Sequence, residues 1–349
     1  MNGRVWALAS ICFLSLLTSR IDADEIVIPF DPIRKELPAD GKIIEESRSP
    51  KDYFAYCFGK QARGRGKHLV VGEAIGNAGI ELQDDLIEVN LGGHFEQENE
   101  FQLSRTMANL NVKATLQMTI DDDFEIKTWM SKLSVEEDTP HGQDVEFLAR
   151  DRMKVQAKII SRTLGGRLLN QIKETMVDET KKKNIVKTLR EEYRPEISKA
   201  GIRIVKGKSV PLTVTSYFAR DEKLVGHAGV LVGAREDGKP IESFSVSFAR
   251  PMAGVTMEYM THVGFDGDMK WVAGGTRSEG YGIQGFAIRL KGENANRYDV
   301  MYKAHLWTHS DTPWIRNGEF CGTRGLGGSV QGIVVRVIPK STDPKRDRL

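Results

Sequence analysis

The chain is poor in cysteine, poor in histidine and has no surplus of either charge. Three cysteines in 349 residues are too few for a scaffold built on disulfides. Among the histidines, His68, His94, His141, His227, His262, His305 and His309, only the last two are four apart. Their HLWTH run lacks the glutamate and the helix of a zinc protease. Fifty basic residues against 48 acidic ones leave a formal charge of +2, so no molecule-wide field draws in nucleic acid or anionic lipid. The glycines Gly72, Gly76 and Gly79 are not followed by the Lys-Ser or Lys-Thr of a phosphate loop. Asp121-Asp122-Asp123 lacks the later ligands of a calcium loop and reads as a turn. No catalytic constellation, metal site or cofactor site emerges, and the chain reads as a non-enzyme.

Hydrophobic residues make up 40% and charged residues 28%, and the mean hydropathy is −0.36, which describes a soluble globular chain able to bury a core. Its length exceeds what one core usually holds, so two folded units are expected. The one long apolar run is WALASICFLSLL, Trp6 to Leu17, after Arg4. It has the order of a secretory signal peptide over residues 1–23 and is too short to span a bilayer. Ile21 and Asp22 make an imperfect cleavage site, so an uncleaved signal anchor is the alternative. Cys12 lies inside this segment. Cys57 and Cys321 remain as one candidate disulfide or two free thiols, and their spacing decides neither.

Composition divides the rest. Of 34 glycines, 21 lie from residue 201 onward. Residues 24–67, with Pro29, Pro32, Pro38 and Pro50 and a closing ARGRGK run, read as an extended lead-in. From His68 to Ile126 the pattern is strand-like, and NVKATLQMTI puts Val112, Ala114, Leu116, Met118 and Ile120 on one buried face. Two helices follow: one with Leu148, Val155 and Ile159 on its apolar face, the other with Val186, Leu189, Tyr193 and Ile197. Gly165-Gly166 separates them, Pro195 kinks the second, and Gly201 ends it before a strand, Ile202–Val205. Residues 68–208 therefore form an α+β domain. Its strand ending in an aspartate turn (NVKATLQMTIDDDFE), its charged helices and its closing GIRIV resemble the SPFH (band 7, stomatin and prohibitin) domain over residues 69–208. That resemblance implies a membrane-associated scaffold, but the coiled coil that usually follows is absent.

The second half repeats itself. Three segments begin at Val214, Met257 and Val300; Tyr217, Tyr259 and Tyr302 recur at intervals of 42 and 43, and Phe244, Phe286 and Ile333 at 42 and 47. Each copy offers an alternating strand around its tyrosine, a polar turn, a short strand starting at Leu231, Trp271 or Trp314, a glycine-rich turn and a closing strand. One copy cannot cover its own apolar face and three can, so residues 212–338 are expected to form an all-β, three-repeat, pseudo-threefold domain resembling a β-prism. Residues 339–349 read as a basic tail.

Tyr302, His305, Trp314, Asn317-Gly318, Gly322-Thr323, Gly325 and VQGIVVRV in the third copy, with Tyr259, His262, Trp271, Gly274-Gly275-Thr276 and Gly280 in the second, resemble the clostridial hydrophobic-tryptophan (ChW) repeat. The first copy departs, with Arg220 for the histidine and Leu231 for the tryptophan. The resemblance implies a secreted or surface-associated module that attaches to sugar or cell wall without catalysis. Residues shared by the copies, namely Tyr217, Tyr259, Tyr302, Trp271, Trp314, His262 and His305, read as structural, because one packing problem recurs three times. Residues that break the repeat are the binding candidates: Trp307, His309 and Asp311 in LWTHSDTPW, and Phe265, Asp266 and Asp268 in VGFDGDMKW. An aromatic beside a carboxylate or imidazole suits a sugar ring; a solvated turn with one packed aromatic has the same composition.

The expectation is a secreted or cell-surface protein that binds a glycan or cell-envelope surface, with no nucleic acid partner and no cofactor. It meets a membrane only if the N-terminal segment stays on, and oligomerisation is open. Two alternatives use the same features: a membrane-anchored SPFH-like scaffold whose repeats contact proteins, and a toxin-like pore former that targets through the repeats.

Overall fold

The computed structural model describes residues 25–340 apart from breaks at 36–38, 41–42, 49–51, 66–67, 76–78, 84, 102–103, 138–141, 176–182, 199–200, 236–237, 279, 281 and 326–327. The expected signal segment and most of the basic tail lie outside the described residues. Strands dominate the described residues, in several antiparallel sheets, and no closed barrel or prism forms among them.

The first half is built on a long hairpin, Leu86–Phe101 against Ser104–Ile120, extended by Ile126–Glu137 on one side and by Asp52–Phe58 and Ile43–Arg48 on the other. The period-two alternation does what it implies: Val112, Ala114, Leu116, Met118 and Ile120 are all buried. A single helix, Gly142–Thr175, packs against the strands Ile126–Glu137 and Ser104–Ile120. It runs straight through Gly165-Gly166, where a helix break is expected. A Cβ on Gly165 would make ordinary van der Waals contact with Ile126 Cδ1 at 3.4 Å, and one on Gly166 would meet nothing within 4 Å, so neither glycine marks a break in the helix. The face it buries also differs from the expected one. Met153, Ala157, Ile160, Leu164, Leu168 and Ile172 are buried, whereas Val155 and Ile159 are 52% and 43% exposed. Both stripes are apolar at their N-terminal ends, and the sheet takes the one that continues for five turns.

The second expected helix is short, Ile185–Glu192. Tyr193 and Ile197 belong instead to the strand Tyr193–Ser198, at the edge of a three-stranded sheet with Gly201–Lys206 and Glu25–Ile28. Pro195 sits in that edge strand, where its missing N–H costs no ladder bond on the open side. Residues 24–67 are not an unstructured lead-in. They supply Glu25–Ile28, a short helix Phe30–Lys35, and the strands Ile43–Arg48, Asp52–Phe58 and Lys60–Arg65. The two oxygens of the Glu25 carboxylate accept bonds from Arg203 at 2.6 and 2.9 Å, which ties the start of the described chain to the end of the domain. One hydrophobic core runs from Ile26 to Ile204 and a second from Leu212 to Val337.

In the second half each copy folds its tyrosine strand against its closing strand: Leu212–Tyr217 with Ser243–Phe248, Thr256–Val263 with Ile283–Lys291, and Tyr298–Leu306 with Val330–Pro339. Each copy also lends its short glycine-containing segment to a neighbour. Val232-Gly233 of the first pairs with the closing strand of the third, and Cys321-Gly322 of the third pairs with that of the second. The second copy donates from Gly275 N–H to Val246 O and from Ser278 N–H to Phe244 O of the first. Phe244, Tyr259, Phe286 and Tyr302 are fully buried and make a chain of ring contacts 5.0–5.5 Å apart that crosses the copies. Tyr259 and Tyr302 donate their hydroxyls to the carbonyls of Thr276 and Glu319, and burial pushes both phenols up to about 12.

Tyr217 is only half-buried, and so are Trp271 and Trp314. The two indoles are roofed by cations rather than enclosed by hydrocarbon: Arg289 lies 3.8 Å from the Trp271 ring, and Arg336 4.7 Å from the Trp314 ring. The candidate disulfide does not form: Cys57 and Cys321 are both free and buried. Cys57 sits in the first-half strand Asp52–Phe58 and Cys321 in the core of the second half, and each sulfur finds a local oxygen, Lys60 O and Thr312 Oγ1.

Candidate functional site

The lent segments share a triplet that the sequence does not advertise as a site: Gly233-Ala-Arg235, Gly275-Thr-Arg277 and Gly322-Thr-Arg324. Backbone contact explains the glycine. At Gly233 (φ +151°) and Gly322 (φ +116°) a Cβ would fall 2.2 and 2.4 Å from the carbonyl oxygens of Gln331 and Gln284, so only glycine allows the borrowed strand this close. Two residues on, the arginine lands beside the loop that follows the receiving copy's tyrosine strand.

In the second copy Arg324 pairs with Asp268 at 2.8 Å and lies 4.0 Å from the centre of the Phe320 ring. His262 Nδ1 is 2.7 Å from Asp268 Oδ1, and its ring meets Phe320 edge-on at 5.9 Å. In the third copy Arg235 pairs with Asp311 at 2.9 Å and lies 4.0 Å from the ring of Trp129. His305 Nδ1 is 2.7 Å from Asp311 Oδ1, and its ring meets Trp129 edge-on at 5.8 Å. The two constellations of arginine, aspartate, histidine and aromatic ring match to within a few tenths of an ångström. The aromatic alone differs in origin: Phe320 comes from the module, whereas Trp129 comes from the first-half strand Ile126–Glu137.

Trp129 is fully buried and donates Nε1–H to His309 O at 3.1 Å. Around it lies a charged cluster. Lys303 bridges Asp311 at 3.1 Å and Asp85 of the first half at 2.9 Å, and the Asp311 side chain is 1% exposed. Burial pushes this carboxyl up, but Lys303, Arg235 and the His305 bond outweigh that and hold it well below the usual carboxylate range. His305 Nε2 faces Arg235 O at 3.2 Å, so both ring nitrogens lie within hydrogen-bonding reach of an oxygen. A second junction forms at the aspartate turn. Asp122 is buried, pairs with Arg336 at 2.5 Å and accepts from Ser209 Oγ at 2.8 Å. A Cβ on Gly229 would strike its carboxyl at 2.0 Å.

These contacts sort the candidate residues. Asp311 is a structural ion-pair centre, and His309, at φ +61°, presents its carbonyl to Trp129. Asp268 is half-exposed and already bonded to His262 and Arg324. Asp266 is exposed, Phe265 stands wholly in solvent, and Trp307 is 54% exposed. Phe265 and Trp307 occupy corresponding loops of the second and third copies. Asp121 caps its own turn through the N–H groups of Asp123 and Glu125. Among the described residues no group of His, Cys, Asp and Glu is arranged to hold a metal ion, and no helix is long and apolar enough to cross a membrane. No protein family, curated protein or solved structure matches the chain.

Sequence reading missed the arginine triplets and Trp129. The triplets were visible as a G-x-Arg recurrence inside the repeat. Trp129 carried no local signal, since it looks like any aromatic on a strand.

Proposed function

We propose that this is a secreted, non-enzymatic binding protein whose second half, residues 212–338, engages a carbohydrate or cell-surface partner. The three copies are arranged about a pseudo-threefold axis, prism-like in that two of the sheets gain a short strand lent by another copy and the first gains two backbone hydrogen bonds from the second. The cyclic lending order, first to third, second to first and third to second, supports this arrangement. The observation that carries the binding reading is the exposure of Phe265 and Trp307 on corresponding loops. Each of those loops is held by the same His–Asp–Arg bonding beneath it. Large aromatics left in water on rigid, equivalent loops suit the apolar face of a sugar ring, with loop polar groups free for its hydroxyls.

The test is a glycan array probed with the full-length chain alongside Phe265→Ala and Trp307→Ala. Binding that falls about tenfold or more in either variant, with an unchanged melting temperature, is the expected result. Silence of the wild-type chain across neutral and acidic glycans removes the reading.

A further inference from the structure

The first copy has the third arginine and a different setting for it. Arg277 stacks 4.3 Å from the ring of Tyr217, donates Nε–H to Ser243 Oγ at 2.6 Å and lies 3.5 Å from Asp221. The other two copies close their slots with a buried histidine and an edge-on aromatic. Here Arg220 replaces the histidine and the slot opens into a hollow of about 490 Å³ lined by Arg220, Asp221, Glu242, Ser243 and Arg277. That volume is in the usual range of small-molecule sites, roughly 300–1,000 Å³. The wall is also strained: Arg220 and Asp221 are consecutive non-glycine residues in the left-handed region, at φ +61° and +58°. Such conformations are unfavourable and concentrate where a chain is shaped for a ligand.

We infer that this hollow is a saccharide subsite for a neutral sugar unit, distinct from the Phe265 and Trp307 loops; the inference rests on the carbohydrate reading proposed above. The chemistry of the wall selects the ligand. Two guanidinium groups and two carboxylates cancel, so the hollow favours neither an anion nor a cation. The guanidinium forks can only donate and the carboxylates can only accept, and both line the hollow. A sugar hydroxyl does both, so a diol spanning Arg277 and Asp221 or Glu242 satisfies each. The Arg277–Tyr217 stack holds the fork in a fixed plane, which lowers the entropy lost on binding.

The experiment uses the full-length chain on an array of neutral and acidic glycans, followed by titration of the strongest neutral binder against wild type, Arg277→Gln, Asp221→Asn, Phe265→Ala and Trp307→Ala. Arg277→Gln and Asp221→Asn are each expected to weaken binding about tenfold. The Asp221 side chain is 92% exposed, so Asp221→Asn keeps the test open if the arginine variant fails to fold. Binding unchanged in Asp221→Asn and in a folded Arg277→Gln, but lost in the two aromatic variants, overturns this subsite and leaves the carbohydrate reading standing. Binding restricted to acidic glycans overturns the neutral assignment. Silence of the wild-type chain overturns both.

Discussion

Asp311 shows how one side chain can look like a ligand contact in sequence and serve as a structural centre. An aspartate in a loop with a tryptophan and a histidine suggests sugar binding, yet its oxygens are taken by His305, Arg235 and Lys303. Removing the charge by Asp311→Asn leaves two buried cations short of a partner, which costs about 3 to 5 kcal/mol at neutral pH; urea unfolding measures it. A carboxyl whose folded pKa lies below its unfolded value of about 3.9 adds stability above that value and loses it as pH falls toward the folded one. The gap between wild type and variant should therefore be full at pH 6 and shrink below about pH 4; a gap constant with pH contradicts the assignment. The thiols offer a second residue-scale check. Burial pushes Cys57 up and Cys321 up to about 11, so neither should react with a disulfide reagent at pH 8 until the chain unfolds. Rapid native labelling of either would place it outside the cores.

The lent segments are the elements on which the second half depends. Each pairs over only two or three residues, too short to persist alone; its arginine fastens it, and at Gly233 and Gly322 the glycine permits the close backbone approach. Gly322→Ala would drive a methyl group into the Gln284 carbonyl and also force a disfavoured φ. Loss of about 2 kcal/mol or more is expected in thermal melts, with faster hydrogen exchange in the strand Ile283–Lys291. Gly238, at φ +65° with nothing within 4 Å of a built Cβ, is the control: Gly238→Ala should cost less, because only the backbone term remains. The long helix teaches the converse about reading glycine. Gly165-Gly166 looks like punctuation by local rules, but the helix Gly142–Thr175 continues through both, and tertiary packing of its buried stripe overrides propensity.

At the scale of the whole molecule, the contacts that join the two halves include Trp129 in the third arginine slot, Lys303 to Asp85, and Arg336 to Asp122. Trp129→Ala empties the slot and removes the ring that lies 4.0 Å from the Arg235 guanidinium, so a loss of about 3 to 5 kcal/mol is expected. Scanning calorimetry should then show two transitions where the wild type shows one; a single unchanged transition would refute the coupling. By itself the sequence determined the alternating strand that becomes the sheet core, the threefold recurrence, and the Tyr259, Tyr302, Phe244 and Phe286 positions of the second core, because periodicity records which side chains face inward. The tertiary structure alone decided which copy lends to which, why the glycine precedes each arginine, and that Trp129 completes a slot some 180 residues away in the chain. Those facts depend on the approach of distant backbones, and no local pattern of residues carries that information.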